Sequence, residues 1–139
     1  MEETIGRNYR KRELKGMGRK KRVLIADDEI CIHDLFARAL PADEFGIIHA
    51  YNGKETFSLA KEQLPDVIVL DIMMPDMDGR DICNKLKNDP ATKNAKIIML
   101  TAMNQQHDRI VGLELGADDY ITKPCSIFYL VRSIKKACK

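Results

Sequence analysis

Acidic, hydroxyl and ammonium side chains stand at the ends of short apolar runs in this chain. Asp27, Asp28 and Glu29 follow VLIA, Asp71 follows DVIVL, Thr101 follows KIIML, and Lys123 follows DYIT. Carboxylates held close together repel, and without a counter-ion at least one takes a raised pKa. A hard divalent cation resolves the repulsion: magnesium accepts carboxylate oxygens and keeps several waters, with Mn2+ as the alternative. A lysine and a threonine hydroxyl beside such a site add a point charge and a donor suited to a phosphoryl group. Metal, ammonium and hydroxyl together neutralise the equatorial oxygens of a transferring phosphoryl group. The nucleophile must then be a carboxylate, and Asp71, on the central run, is the candidate.

These groups act together only if a fold brings the run ends to one place. The runs at 22–26, 45–50, 66–70, 96–100 and 118–122 are rich in Val, Ile and Leu, and those at 66–70 and 96–100 are apolar at nearly every position. Such continuity suits strands buried on both faces of a parallel sheet. Helical patterns fill the intervals at 29–40, 54–64, 80–88, 105–115 and 126–138. In the first, Ile32, Leu35, Phe36, Ala39 and Leu40 share a face before Pro41, and His33 is placed elsewhere. In the second, Phe57, Ala60 and Leu64 line up after the Asn52-Gly53 turn signal. Five strand–helix units predict an α/β, doubly wound five-stranded parallel sheet with helices on both faces and right-handed crossovers. Open sheets of this kind place their sites at the carboxyl ends of the strands, which is where the polar groups fall.

Taken singly, each of these residues has an ordinary explanation. Asp27, Asp28 and Glu29 suit a helix N-terminus, Asp71 suits a turn before Pro75, and Thr101 and Lys123 are common loop residues. Their joint placement at successive strand ends carries the argument.

The chain has 139 residues, 45% hydrophobic and 32% charged, which fits one soluble domain plus a tail. No apolar run reaches membrane-span length, and the charged N-terminus lacks a secretory signal. Cys31, Cys83, Cys125 and Cys138 have no CxxC or zinc spacing, and we expect reduced packing residues in a cytoplasmic protein. His33, His49 and His107 read as scattered, with no catalytic base among them. Met73, Met74, Met77, Met99 and Met103 read as filler rather than a soft metal site. Nine Lys or Arg against three Glu leave residues 1–22 at +6, so the remainder carries −4 to reach the net +2. The expected division is a basic flexible arm at 1–21 and a domain at 22–139. The arm reads first as a solvated tail, next as a contact for an acidic partner, and last as a nucleic-acid contact. Tyr9 is its only aromatic, and no helix-turn-helix accompanies it.

The strings VLIADDE, VLDIMMPDMDG, IIMLTA and GADDYITKP, in that order, resemble the receiver domains of bacterial two-component response regulators. The resemblance covers about Arg22 to the C-terminus. It implies a flavodoxin-like fold of strand order 2-1-3-4-5 and a phosphorelay function. Asp71 would be the phosphoacceptor. Asp27, Asp28, Asp71 and the backbone carbonyl of Met73 would hold Mg2+, with Asp28 as the direct ligand of the acidic pair. Thr101 and Tyr120 would be the switch residues and Lys123 the phosphoryl-binding lysine, with Lys123-Pro124 as the family's cis peptide. Met73 and Met103 depart from the commonest pattern; neither orients water, so slow self-dephosphorylation is expected. Cys125 replaces the more usual aromatic.

The resemblance further implies a sensor histidine kinase or histidine phosphotransfer protein as donor. The output would be a changed surface over the strands at 96–100 and 118–122 and the helix at 105–115, read by a downstream effector protein, with homodimerisation on phosphorylation an option. Because no further domain follows Lys139 in this chain, regulation is expected to act through partners. Such a domain is a signalling phosphoacceptor that assists its own Mg-dependent phosphorylation and dephosphorylation, rather than an enzyme proper. An aspartyl-phosphate phosphatase would need an acid at position 73. A flavin protein would need a phosphate loop where Asp27-Asp28-Glu29 stands. The remaining alternative is a receiver-like scaffold that is not phosphorylated.

Overall fold

The computed structural model describes residues 19–102, 116–123 and 126–139. Five strands, β1 (Lys21–Ala26), β2 (Phe45–Ala50), β3 (Val67–Asp71), β4 (Lys96–Ala102) and β5 (Asp119–Lys123), form one sheet. Every pairing is parallel and the order is β2-β1-β3-β4-β5. Four described helices accompany them: α1 (Ile30–Ala39), α2 (Gly53–Gln63), α3 (Gly79–Asn88) and α4 (Ile127–Ala137). The helix expected at 105–115, Met103, His107, Pro124, Cys125 and residues 1–18 of the arm lie outside the described residues.

Two cores flank the sheet because successive side chains along a strand point to opposite faces. Leu24, Ala26, Ile68 and Leu70 join Ala60 of α2 and Ile82, Cys83 and Leu86 of α3. Val23, Ile25, Val67 and Val69 join Phe36 of α1 and Leu130 and Ile134 of α4. This explains the unbroken apolar runs: all five residues of β3 are buried.

Polar residues end the strands and begin the helices. Asn52, Asp78 and Ser126 accept bonds from the backbone N–H groups of Glu55, Arg80 and Phe128, capping α2, α3 and α4. α2 closes at Leu64, which takes a left-handed conformation (φ 49°) and is exposed. The helical pattern puts Leu64 on the apolar face; as the residue that ends the helix it points away from it. α1 departs likewise: His33 is buried and Leu35 is exposed. The buried arc runs from Ala39 through Ile32 and Phe36 to Leu40. His33 falls beside Leu40 on the helical wheel, and Leu35 falls beyond Ala39.

Candidate functional site at the carboxyl edge of the sheet

β1, β3 and β5 deliver their last polar residues to one point. Asp27 is fully buried just past β1, with its N–H held by the Ala50 carbonyl at 3.1 Å. Its carboxylate accepts the Glu29 N–H at 2.9 Å and pairs with Lys123 Nζ at 2.9 Å. Asp71 ends β3 at 4% exposure, accepts the Met73 N–H at 3.1 Å, and lies 3.5 Å from Lys123 Nζ. Asp28 is exposed, and one carboxylate oxygen each from Asp27, Asp28 and Asp71 lie within 4.8 Å of one another.

Among the described residues the charges do not balance: three carboxylates converge and Lys123 pairs with two of them. Burial pushes the Asp71 carboxyl above its usual range. Asp27 adds to that, while the Lys123 charge and the Met73 N–H oppose it. Burial works against the Lys123 charge too. The hydrogen bond to Asp27 and the charges of Asp71, Asp27 and Glu29 outweigh it and hold the lysine above its ordinary value. An all-oxygen donor set with excess negative charge suits a hard divalent cation rather than a soft one.

The β3–α3 turn shapes the floor. Gly79 is pressed against the strand end: a Cβ there would lie 2.4 Å from the Asp71 carbonyl oxygen and 2.6 Å from Ile72 Cα. Its N–H donates to the Ile72 carbonyl at 2.8 Å. The turn is also tied to α2, because Asp76 accepts the Gly53 and Lys54 N–H groups at 2.6 and 3.0 Å. Sequence reasoning did not single out Asp76, because nothing local links it to a helix start 23 residues earlier. Met73 sits in this turn with its side chain outward, 70% exposed.

Thr101 is buried near the end of β4, one residue past Leu100, the register partner of Asp71. Tyr120 is buried in the core that faces α2 and α3, paired with Met99. Thus Asp27, Asp28, Asp71 and Lys123 form one contact cluster, and Thr101 shares the strand-end row. Tyr120 lies deeper, below the edge.

Two expectations need correction. His33 and His49 are not scattered: their Nδ1 atoms are 2.8 Å apart, and His33 Nε2 is 2.7 Å from the Asp27 carbonyl oxygen. Burial, then the neighbouring His33, lower the His49 pKa against the pull of Asp34. Cys31 is exposed rather than packed, whereas Cys83 is in the core, where burial pushes its thiol up to about 11.

Known proteins share both the sequence pattern and the fold. The family model described as "Response regulator receiver domain" matches residues 23–135. The "Probable transcriptional regulator ycf27" of Guillardia theta is 44% identical over 107 residues, covering 77% of this chain and 41% of its own. "Response regulator PleD" of Caulobacter vibrioides is 40% identical over 118 residues, covering 83% of this chain and 26% of its own. The chain therefore spans roughly a quarter to two-fifths of the length of these curated relatives. Among solved structures, a CheY-like receiver domain protein from Methanospirillum hungatei JF-1 superposes with TM-score 0.79 at 28% identity, over 86% of this chain and 94% of that one.

Proposed function

The chain belongs to the response regulator receiver domain family, and from that premise we propose that Asp71 takes a phosphoryl group from a histidine kinase or histidine phosphotransfer protein. Domains of this family are signalling modules rather than enzymes in their own right. One observation carries the assignment of Asp71. Its carboxylate is buried at the central strand end, with Lys123 3.5 Å away and two further aspartates converging within 4.8 Å.

The roles follow from position. An Asp71 oxygen forms the new bond to phosphorus as the donor's P–N bond breaks, and the imidazole leaves with the electron pair. Lys123 steadies the phosphoryl oxygens while its ammonium also pairs with the buried Asp27 at 2.9 Å. Asp27, Asp28, Asp71 and the Met73 carbonyl would hold Mg2+. When bound, the ion would neutralise charge on the transferring group and relieve repulsion among the acids. Thr101, buried at the strand end, then turns its hydroxyl toward the phosphoryl oxygens. Tyr120, two register steps from it, changes rotamer and reshapes the β4–β5 edge that an effector protein or a second copy of the chain would read. The outward Met73 side chain offers nothing to orient water, which supports slow self-dephosphorylation. The basic arm expected at 1–21 overlaps the domain at its end, since Lys21 opens β1 and Arg19 meets Asp66. Among the described residues no helix is long and apolar enough to cross a membrane. Free thiols at Cys31, Cys83 and Cys138 support a reducing, cytoplasmic setting.

Intact-mass measurement after incubation with Mg2+ and a small phosphodonor tests this directly. The wild type should gain one phosphate, and chelator or Asp71→Asn should abolish the gain. A wild type that binds Mg2+ yet gains no phosphate would overturn the reading and leave a constitutive interaction scaffold.

A further inference from the structure

Two histidines 16 residues apart meet beside the acidic cluster, and the chemistry above uses neither. His33 of α1 is 2% exposed, so its polar atoms need partners within the protein. Its Nε2 lies 2.7 Å from the backbone oxygen of Asp27. A carbonyl oxygen only accepts, so Nε2 carries a proton and donates it. In the tautomer that carries only this proton, Nδ1 is an acceptor, and it faces the Nδ1 of the exposed His49 at 2.8 Å, which donates to it. In that tautomer the relay runs from His49 to His33 to Asp27. Tyr51 packs over it, its ring centroid 4.2 Å from that of His33.

The carbonyl at the end of this relay belongs to the peptide that joins Asp27 to Asp28. The other side of Asp27 is already pinned, its N–H to Ala50 and its carboxylate to Glu29 and Lys123. What is left to set is the plane of the Asp27–Asp28 peptide, and that plane determines where the Asp28 carboxylate leaves the backbone. Asp28 is the exposed member of the three.

We propose that His33 is a positioning residue for the divalent-cation site, holding the Asp27–Asp28 peptide so that both carboxylates converge with Asp71, and that His49 fixes the tautomer in which His33 does so. The inference rests on reading the aspartate cluster as a cation site. Groups that orient metal ligands without touching the ion commonly change metal affinity by roughly 10–100-fold when removed.

The test compares Mg2+ titrations of the wild type, His33→Leu and His33→Gln by calorimetry, with phosphodonor kinetics alongside. Leucine fills the space without a donor and should weaken Mg2+ roughly tenfold. It should slow phosphorylation at low Mg2+, and saturating Mg2+ should restore the rate. Glutamine keeps a nitrogen donor and should recover most of the affinity. His33→Leu binding Mg2+ within about twofold of a binding wild type overturns the inference. A wild type that binds no Mg2+ overturns the cation-site reading and the inference with it. Long-range 1H–15N spectra of the wild type near pH 7.5 need no variant to fold. His33 should show a protonated Nε2 and a bare Nδ1, and the opposite tautomer overturns the inference.

Discussion

The two ends of the sheet both gather carboxylates and cations, yet among the described residues they balance them differently. At the amino end, Asp66 accepts the Arg22 N–H at 2.9 Å and meets Arg19 at 3.4 Å. Asp118 accepts the Ile97 N–H at 2.8 Å and pairs with Lys87 at 3.1 Å and Lys96 at 3.9 Å. Each acid there ties a loop to the first residues of a strand, and cations match or outnumber acids. At the carboxyl end, Asp27 and Asp71 share Lys123 while Asp28 converges on them, and two of the three acids are buried. An arrangement whose charges already balance gains little from a ligand. Buried acids in excess leave free energy to be gained by a cation and then by a phosphoryl group.

The glycines should divide the two ends most sharply. Gly79→Ala would drive a methyl into the Asp71 carbonyl and Ile72 Cα, backbone atoms that cannot step aside. We expect a loss of about 3 kcal/mol or more in denaturant unfolding, at the top of the range for overpacking. At Gly46, near the start of β2, an added methyl would meet no atom within 4 Å, and φ is not positive. Gly46→Ala should be neutral or stabilising by about 0.4–1 kcal/mol. Equal losses at both positions would remove the steric part of the comparison.

Removing one negative charge should act with opposite sign at the two ends. The raised Asp71 pKa means that the native state holds its proton more tightly than the unfolded chain does. Stability from that preference is fully present below the unfolded pKa and is lost as pH rises through the higher, folded value. Asp71→Asn removes this loss, so in chelator near pH 7 it should melt above the wild type, and the gap should close toward about pH 4. Mg2+ at about ten times its Kd adds about 1.4 kcal/mol to the wild type alone and should reverse the order. Asp118→Asn should instead lower the melting point, on the order of 1 kcal/mol, by discharging an acid that two lysines share. The thermal midpoints of both variants with and without Mg2+ decide this. A lowered midpoint for Asp71→Asn in chelator would break the charge argument.

Much of this was legible in the sequence, for a definite reason. A buried parallel strand needs an apolar residue at every position, so its end is marked by the first polar side chain, and here those side chains form the candidate site. Asp27, Asp28, Asp71, Thr101 and Lys123 could therefore be placed on one edge before any contact was known. The helices were less legible. An amphipathic arc has soft edges, and a histidine at one edge can be buried once a backbone carbonyl satisfies it, as Asp27 satisfies His33. Leu35, at the opposite edge, is left in solvent. Asp76 capping α2 from across the β3–α3 turn joins residues 23 positions apart, and no local pattern encodes that.

Arg19→Ala should have the smallest effect and isolates what holds the amino end. The Arg19–Asp66 pair is long at 3.4 Å and partly exposed, so it contributes little. Arg19 Nε is buried without a hydrogen-bond partner among the described residues, so truncation also removes an unmet donor. Asp66 keeps its bond from the Arg22 N–H. The expected change in unfolding free energy is under about 1 kcal/mol, with Mg2+ affinity untouched. A loss above about 2 kcal/mol would mean that ion pairing, rather than carboxylate-to-strand bonding, secures this end. The contrast between a balanced backbone anchor and an unbalanced reactive cluster would then narrow to one of charge count.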